Sequence, residues 1–438
     1  MKPIVALALL CLTPRAVAAQ QPLRLTLEDA IARGLANSHR LAELQARKEG
    51  AEAAEAGREV ASMPSVSILA GYTRTNHVEE FAIVQPGQRA LVVYPDVPDN
   101  YRTRLDLAWP VYSAGRTDAL ERAAESERKA SEEDIAAARS DLRLEIVRAF
   151  WALVSAIESE RVLARSLDTI GAHVRDLRSR FDQGLIAPNE VLTAEAQQSR
   201  ERVFSIEATN LRGVSEADLR RLIGLESRDR IEPVAVLERG VATPSDADVD
   251  ALITDARANR AERRALEDRL NASRAREAAV SADAWPQIGI NAGYDYARPN
   301  PRVFPRIGEW HDSWDASVNL SWSLWDGGRR RAQLAETVAA SHAISARAAE
   351  FDRAVSFEVQ QRQLEVESNR AAIDAAQDGV RSAVEAQRVV MERYRAGVVT
   401  NTDVLDANLA VLQAELDLTR ARANARLAEA RLERAIGR

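Results

Sequence analysis

The sequence predicts a mainly α-helical chain that also carries membrane-spanning β-strands and is organised as two copies of one unit. Three observations lead there. Charged residues make up 29% and aromatics 5% of the chain, and much of the remainder is Ala, Leu and Gln, a composition of long helices. Four segments alternate apolar and polar residues at the ~9 to 11 residues a tilted strand needs to cross a bilayer. Finally, the 438 residues align with themselves over most of their length, and such repeats decide a fold before local propensity does.

The first element reads "MKPIVALALLCLTPRAVAAQ". Lys2, the apolar run Ile4 to Leu12 and the small residues Ala16-Val17-Ala18 fit a secretory signal peptide over residues 1–19, too short for a span. Cys11, the only cysteine, raises a lipoprotein alternative, but Leu10 stands where a small residue is expected before a lipidated cysteine. Cleavage near Ala18 or Ala19 leaves a chain with no disulfide and no thiol chemistry. Beyond the signal no apolar run reaches the ~18 residues of a membrane helix.

The first copy, residues 20–225, begins with a helical stretch over 27–62. Two strand-like segments follow, "SVSILAGY", loosened by Leu69, and "RLDLAWPV". A very long helix is expected over 117–182, ~66 residues or roughly 100 Å. Its apolar seam, Leu142, Ile146, Phe150 and Leu153, recurs every three to four residues. A tight turn and a helix over 189–224 close the copy. Residues 226–248, with Pro233, Gly240 and Pro244, read as a linker. The second copy, 249–438, repeats the order: a helix over 249–284, the strands "QIGINAGYDY" and "SWDASVNLSWSLW" (to Trp325), a long helix over 330–395, a turn, and a helix over 400–437. Arg180, Gly184, Val191, Leu192 and Ala194 fall on Arg393, Gly397, Val404, Leu405 and Ala407; Phe181 falls on Tyr394 and Glu190 on Asp403. Without a gap, Trp109, Gly115 and Arg116 fall on Trp322, Gly328 and Arg329. The two shorter helices of each copy together match the long one, so each copy suggests a rod.

In the strands one face collects Leu105, Leu107, Trp109, Tyr294, Trp314, Val318 and Trp322, the other Asp295, Asp315, Ser317 and Asn319. A soluble sheet with one face on a core gives the same alternation. The signal segment, and the lack of other apolar surface for a sheet to cover, favour the membrane. Trp109, Tyr294, Trp314, Trp322 and Trp325 then suit its half-wet interface. A membrane sheet must close. Four strands cannot enclose a lumen, so several chains must pool theirs, with the polar face lining a water-filled bore.

Little else carries chemistry. The net charge of -7 gives no reason to expect a nucleic-acid partner. The five histidines have no metal-ligand spacing, and phosphate-loop, nucleophile-elbow and HExxH motifs are absent. No cofactor or enzymatic activity is expected. At the second turn, "YRAGVVTNTDVLDA", Thr400 and Asp403 fit a capping box and Asp406 lies near the positive end of the helix dipole. Gly184 and Gly397 suit the left-handed residue that ends a helix.

The doubled organisation, the "WDGGR" of Trp325 to Arg329 leading from strand to helix, and this turn resemble the TolC family of outer membrane efflux proteins. The resemblance covers essentially the whole mature chain. It implies a homotrimer with a twelve-stranded outer-membrane β-barrel, four strands per chain, continued into the periplasm by a long antiparallel α-helical tunnel. It implies docking to a periplasmic adaptor and an inner-membrane transporter, as the passive exit duct of a tripartite efflux or type I secretion system. By the same resemblance Asp403 and Asp406 form the entrance constriction, two stacked rings of carboxylates if their shared face points to a trimer axis. Tyr394 and Glu190 become gate contacts. Leu185, Ile186, Val398 and Val399, beside Gly184 and Gly397, become apolar knobs for the adaptor. Gly115, Arg116, Gly328 and Arg329 mark the strand-to-helix exits. Val399 stands where the family has a latch arginine, so that ionic latch is missing here. A periplasmic adaptor and a secreted coiled-coil protein are the rival readings; neither accounts for two hairpins together with Trp-rich strands.

Overall fold

The computed structural model describes residues 23–87, 89–226, 230–235 and 248–438. The expected signal segment with Cys11, and most of the linker including Gly240 and Pro244, fall outside the described residues. Among the described residues no helix is long and apolar enough to cross a membrane.

In the first half β1 (Leu23–Leu25), α1 (Leu27–Asn37) and α2 (His39–Glu59) lead to β2 (Ser65–Arg74), the short strands β3 (Phe81–Ile83) and β4 (Leu91–Tyr94), and β5 (Asp99–Tyr112). Then come α3 (Arg116–Asp182) and α4 (Pro188–Ile223). After β6 (Ile231–Pro233) the second half runs α5 (Val249–Asn259), α6 (Ala261–Ala282), β7 (Gln287–Arg298), β8 (His311–Ser321), α7 (Arg329–Arg395) and α8 (Asn401–Ala435). Both long helices have 67 residues.

Three departures from the sequence reading have physical causes. Each expected N-terminal helix is two helices. Ser38 and Arg260 adopt extended backbone after an 11-residue helix in each half, and Ser38 Oγ accepts the Leu41 amide at 3.3 Å. No proline marks either break, so the apolar period runs through it. Second, β8 stops at Ser321, whose ladder partner is Gln287. Pro286 precedes Gln287 and cannot continue the ladder, so Trp322 and Trp325 lie beyond the strand. Third, two small pairings carried no readable period: β1 pairs with β6 in parallel, and β3 with β4 in the longer loop of the first half.

Two compact units emerge. One holds the chain up to Leu41, Ala138–Asn259 and Ser356–Arg438; the other holds Ala42–Ala137 and Arg260–Val355. In the first unit the predicted seam of α3 is the core: Ile146, Phe150 and Leu153 are fully buried and Leu142 nearly so. Trp151, the tryptophan outside the strand region, meets Phe150 edge-on at 5.6 Å beneath the Arg426 guanidinium. In the second unit small residues let helices close up, with Ala123, Ala130, Ala272 and Ala279 buried. Ion pairs bridge them: Arg128–Glu55 at 2.6 Å, Lys48–Glu132 at 3.0 Å and Arg269–Asp134 at 2.5 Å. The antiparallel sheet β2-β5-β7-β8 also belongs to this unit.

Candidate functional site

Both turns are built the same way. Gly184 (φ +71°) and Gly397 (φ +72°) take the left-handed conformation. The amides of Leu185 and Val398 donate to the carbonyls of Arg180 and Arg393, each at 2.9 Å. Those of Gly184 and Gly397 donate to Phe181 and Tyr394 at 2.8 and 3.0 Å. This is a Schellman ending, which satisfies carbonyls the helix would leave unpaired. Leu185 and Val398 project into solvent, whereas Ile186 and Val399 are half-buried.

The helices that follow start differently. Thr400 caps α8: its amide and its hydroxyl each donate to Asp403 Oδ2 at 2.7 Å, and the Asp403 amide donates back to Thr400 Oγ1 at 3.4 Å. The Thr400 hydroxyl, then its amide, hold the Asp403 carboxyl below the usual carboxylate range. In the first half Ala187 offers no side-chain cap and Pro188 begins the helix. Asp403 and Asp406 are both exposed and share a helix face, away from buried Val404 and Leu405.

The two turns are joined by a buried polar clasp. His173 Nε2 and Asn401 Oδ1 are 2.6 Å apart, and Asn401 Nδ2 donates to the backbone carbonyl of Glu190 at 3.1 Å. Tyr394 meets His173 edge-on at 5.9 Å, lies under the Arg180 guanidinium, and packs on a cluster of Ile170, Val174, Leu177, Val191 and Leu405. Burial raises the Tyr394 hydroxyl above its ordinary pKa. Tyr394 and Glu190 thus both sit at this joint, and Glu190 reaches the second turn through its carbonyl. His173 and Asn401 carried no sequence signal; a buried polar pair is invisible without the fold.

In the sheet Ile68, Leu105, Tyr294 and Trp314 are successive register partners on one face, with Val66, Leu107, Ala292 and Ala316 a step away. Aromatics gather at both ends of this face. Near the loops Tyr72 meets Tyr101 at 5.0 Å, and Trp310 stacks on Tyr296 at 5.0 Å; Tyr294 and Trp314 stand one register step from Tyr296. At the helical end Trp109 Nε1 donates to Ser62 O at 3.1 Å, and Trp322 Nε1 donates to Ala284 O at 3.0 Å. These are the same bond in each half. Trp325 is exposed beyond the strand.

The exits repeat too. Gly115 (φ +80°) and Gly328 (φ +90°) precede helices starting at Arg116 and Arg329. Ser113 Oγ accepts the Thr117 amide at 3.2 Å, and Asp326 accepts the amides of Gly328 and Arg330 at 3.0 and 2.9 Å. Arg116 pairs with Asp283 at 3.0 Å.

The opposite face of the sheet holds residues that sequence reading did not single out as a site. Arg104 reaches Asp106 at 2.6 Å on its own strand, Asp295 on β7 and Asp315 on β8 at 3.0 Å. Arg102 also binds Asp295, at 2.5 Å, and Arg302 binds Asp315 at 3.3 Å. No carboxylate cluster of the described residues is arranged to hold a metal ion.

The model of the outer membrane efflux protein family matches residues 30–225 and 252–438. The outer membrane protein TolC of Vibrio cholerae serotype O1 is 23% identical over 404 residues, covering 92% of this chain and 88% of its own length. Two solved outer-membrane structures share the fold. VceC of Vibrio cholerae has a TM-score of 0.78 at 21% identity, covering 94% of this chain and 96% of that one. The CmeC channel of Campylobacter jejuni has 0.79 at 17%, covering 94% and 85%. The chain therefore belongs to the outer membrane efflux protein family, and it is an outer-membrane exit duct extending into the periplasm, not an enzyme.

Proposed function

We propose that three copies of this chain pool their strands into one twelve-stranded barrel and hang their helices from it as a periplasmic tunnel. One observation carries this. The four-stranded sheet ends in open edges at β2 and β8 and leaves Val66, Ile68, Trp314 and Val318 exposed on its apolar face. Lipid tolerates such a face but not such edges. Two copies would give about eight strands, whose interior side chains fill, so a bore needs at least three.

The helices support a ring. Leu405 is 6% exposed, covered by the first turn's cluster, whereas its counterpart in the first half, Leu192, is 64% exposed. Inside one chain the first half covers the second, and the second half of a neighbouring chain would cover Leu192 in the same way. A head-to-tail contact of that kind closes into a ring when the rotation permits.

In this duct Asp403 and Asp406 line the periplasmic mouth, and their carboxylate rings admit cations and hold divalent ions. Leu185 and Val398 are the exposed knobs for a periplasmic adaptor, through which an inner-membrane transporter supplies energy; outer-membrane lipid surrounds the barrel. The first half (20–225), linker (226–248) and second half (249–438) act as two near-equivalent wall segments and their connector. Single-channel recording of Asp403→Asn with Asp406→Asn tests the mouth. Loss of divalent-ion block and weaker cation selectivity are expected; wild-type block and selectivity would refute it.

A further inference from the structure

The barrel reading leaves the Arg104 cluster without a task. On the polar face most positions are small or uncharged, among them Ser67, Gly71, Asn291, Ser317 and Asn319. Charge is confined to one band. There Asp106, Asp295 and Asp315 meet Arg102, Arg104 and Arg302, and signs balance. Arg104 is the centre, since it touches all three carboxylates while Arg102 and Arg302 each touch one. Its reach depends on Gly293. A Cβ there would stand 2.1 Å from Arg104 Nη2, so the glycine lets the guanidinium lie across β7 to Asp315 on β8.

We propose that Arg104 is a specificity-determining residue of the duct: it neutralises a carboxylate collar on the bore wall, so that this stretch of the barrel passes solutes of either charge. The inference rests on the polar face lining the bore. Without Arg104 each chain would present three carboxylates to two guanidiniums, and the collar of an assembled ring would become a cation filter.

Reversal potentials across planar bilayers test this, in the Asp403→Asn/Asp406→Asn background so that the mouth does not mask the barrel. Arg104→Gln should raise the potassium-to-chloride permeability ratio about fivefold at low ionic strength, with the shift fading as salt screens it. Arg104→Lys, which keeps the charge, should leave the ratio near that of the background. Asp106→Asn should move the ratio toward chloride, and covers the case of an Arg104→Gln chain that fails to assemble. An unchanged ratio in conducting Arg104→Gln pores, or an equal shift in Arg104→Lys, overturns the collar. Failure of the wild-type protein to conduct at all would instead overturn the duct.

Discussion

The clasp between the turns can be broken from either side. His173 and Asn401 are 8% and 4% exposed and their side chains meet at 2.6 Å. A buried hydrogen bond nets about 1 kcal/mol, and stranding its partner costs about 1–3 kcal/mol. For His173→Ala the lost edge-on contact with Tyr394 at 5.9 Å adds about 0.5–1.5 kcal/mol. Asn401→Ala instead orphans two groups, His173 Nε2 and the Glu190 carbonyl. Each single variant should therefore weaken the joint by about 2–4 kcal/mol. If the joint parts when the mouth opens, the ratio of open to closed channels should rise on the order of 100-fold. The double variant should cost less than the sum of the singles by about 1–2 kcal/mol, because the second truncation removes the orphan left by the first. Open probability in single-channel records, for wild type, both singles and the double, gives the cycle. Additivity within about 0.5 kcal/mol would show that the two residues do not act as a pair, and singles that gate like wild type would show that the joint does not hold the mouth.

Two further outcomes concern the turns. Thr400→Val removes the hydroxyl from the capping box and should destabilise the start of α8 by about 1 kcal/mol. Because the Asp403 carboxyl is depressed, its contribution is present above its unfolded pKa and disappears as pH falls through the lower folded value. In Thr400→Val that contribution should be smaller and its loss complete at higher pH, which a pH series of divalent-ion block or of thermal melting would show. Gly397→Ala places a Cβ in open space but at φ +72°, so it should cost about 1–2 kcal/mol for backbone reasons alone. Gly184→Ala should cost the same, and equal shifts in melting temperature check the equivalence of the turns.

What the sequence disclosed was whatever repeats or has a period. The long helices were legible to within a residue because the seam of α3, Leu142 to Leu153, recurs every three to four positions, α7 is its aligned copy, and the turns after them carry Gly184 and Gly397. The strands were legible from alternation, except where β8 seemed to continue through Trp325; alternation persists after Ser321, but the partner strand has run out. The capping box was readable because its residues lie three apart. The breaks at Ser38 and Arg260 were not, since both leave the apolar stripe intact. Nor were His173–Asn401 or Arg104–Asp315: they join residues separated by 228 and 211 positions, and nothing local to either partner announces the other. The Arg104 cluster was half visible. Asp295 and Asp315 stood on the wet face of the predicted strands, but only the register of β5 against β7 brings an arginine between them.

The two halves diverge where a duct needs them to. Both keep what geometry demands: the glycine ending, a buried seam (Val355, Val359 and Val366 at the places of Leu142, Ile146 and Leu153), the indole bond at the strand foot and the capped exit. They part at the helix that follows the turn. Pro188 in the first half presets the backbone without a side-chain cap, and Glu190 and Thr193 stand where the second half has Asp403 and Asp406. In a ring of three chains the six turns would alternate, and the paired acids would fall on every second one. A second sixfold ring of acids, at the Asp406 level, would crowd like charges further, each repelling its neighbours and favouring an open mouth. The neutral Thr193 at that level spaces the charges to every second turn, whereas Glu190 keeps an acid at the Asp403 level of the other turn and lends its backbone carbonyl to the clasp. In the proposed duct duplication would then fix the wall, and the difference between the copies would decide where the mouth is charged and where it is held.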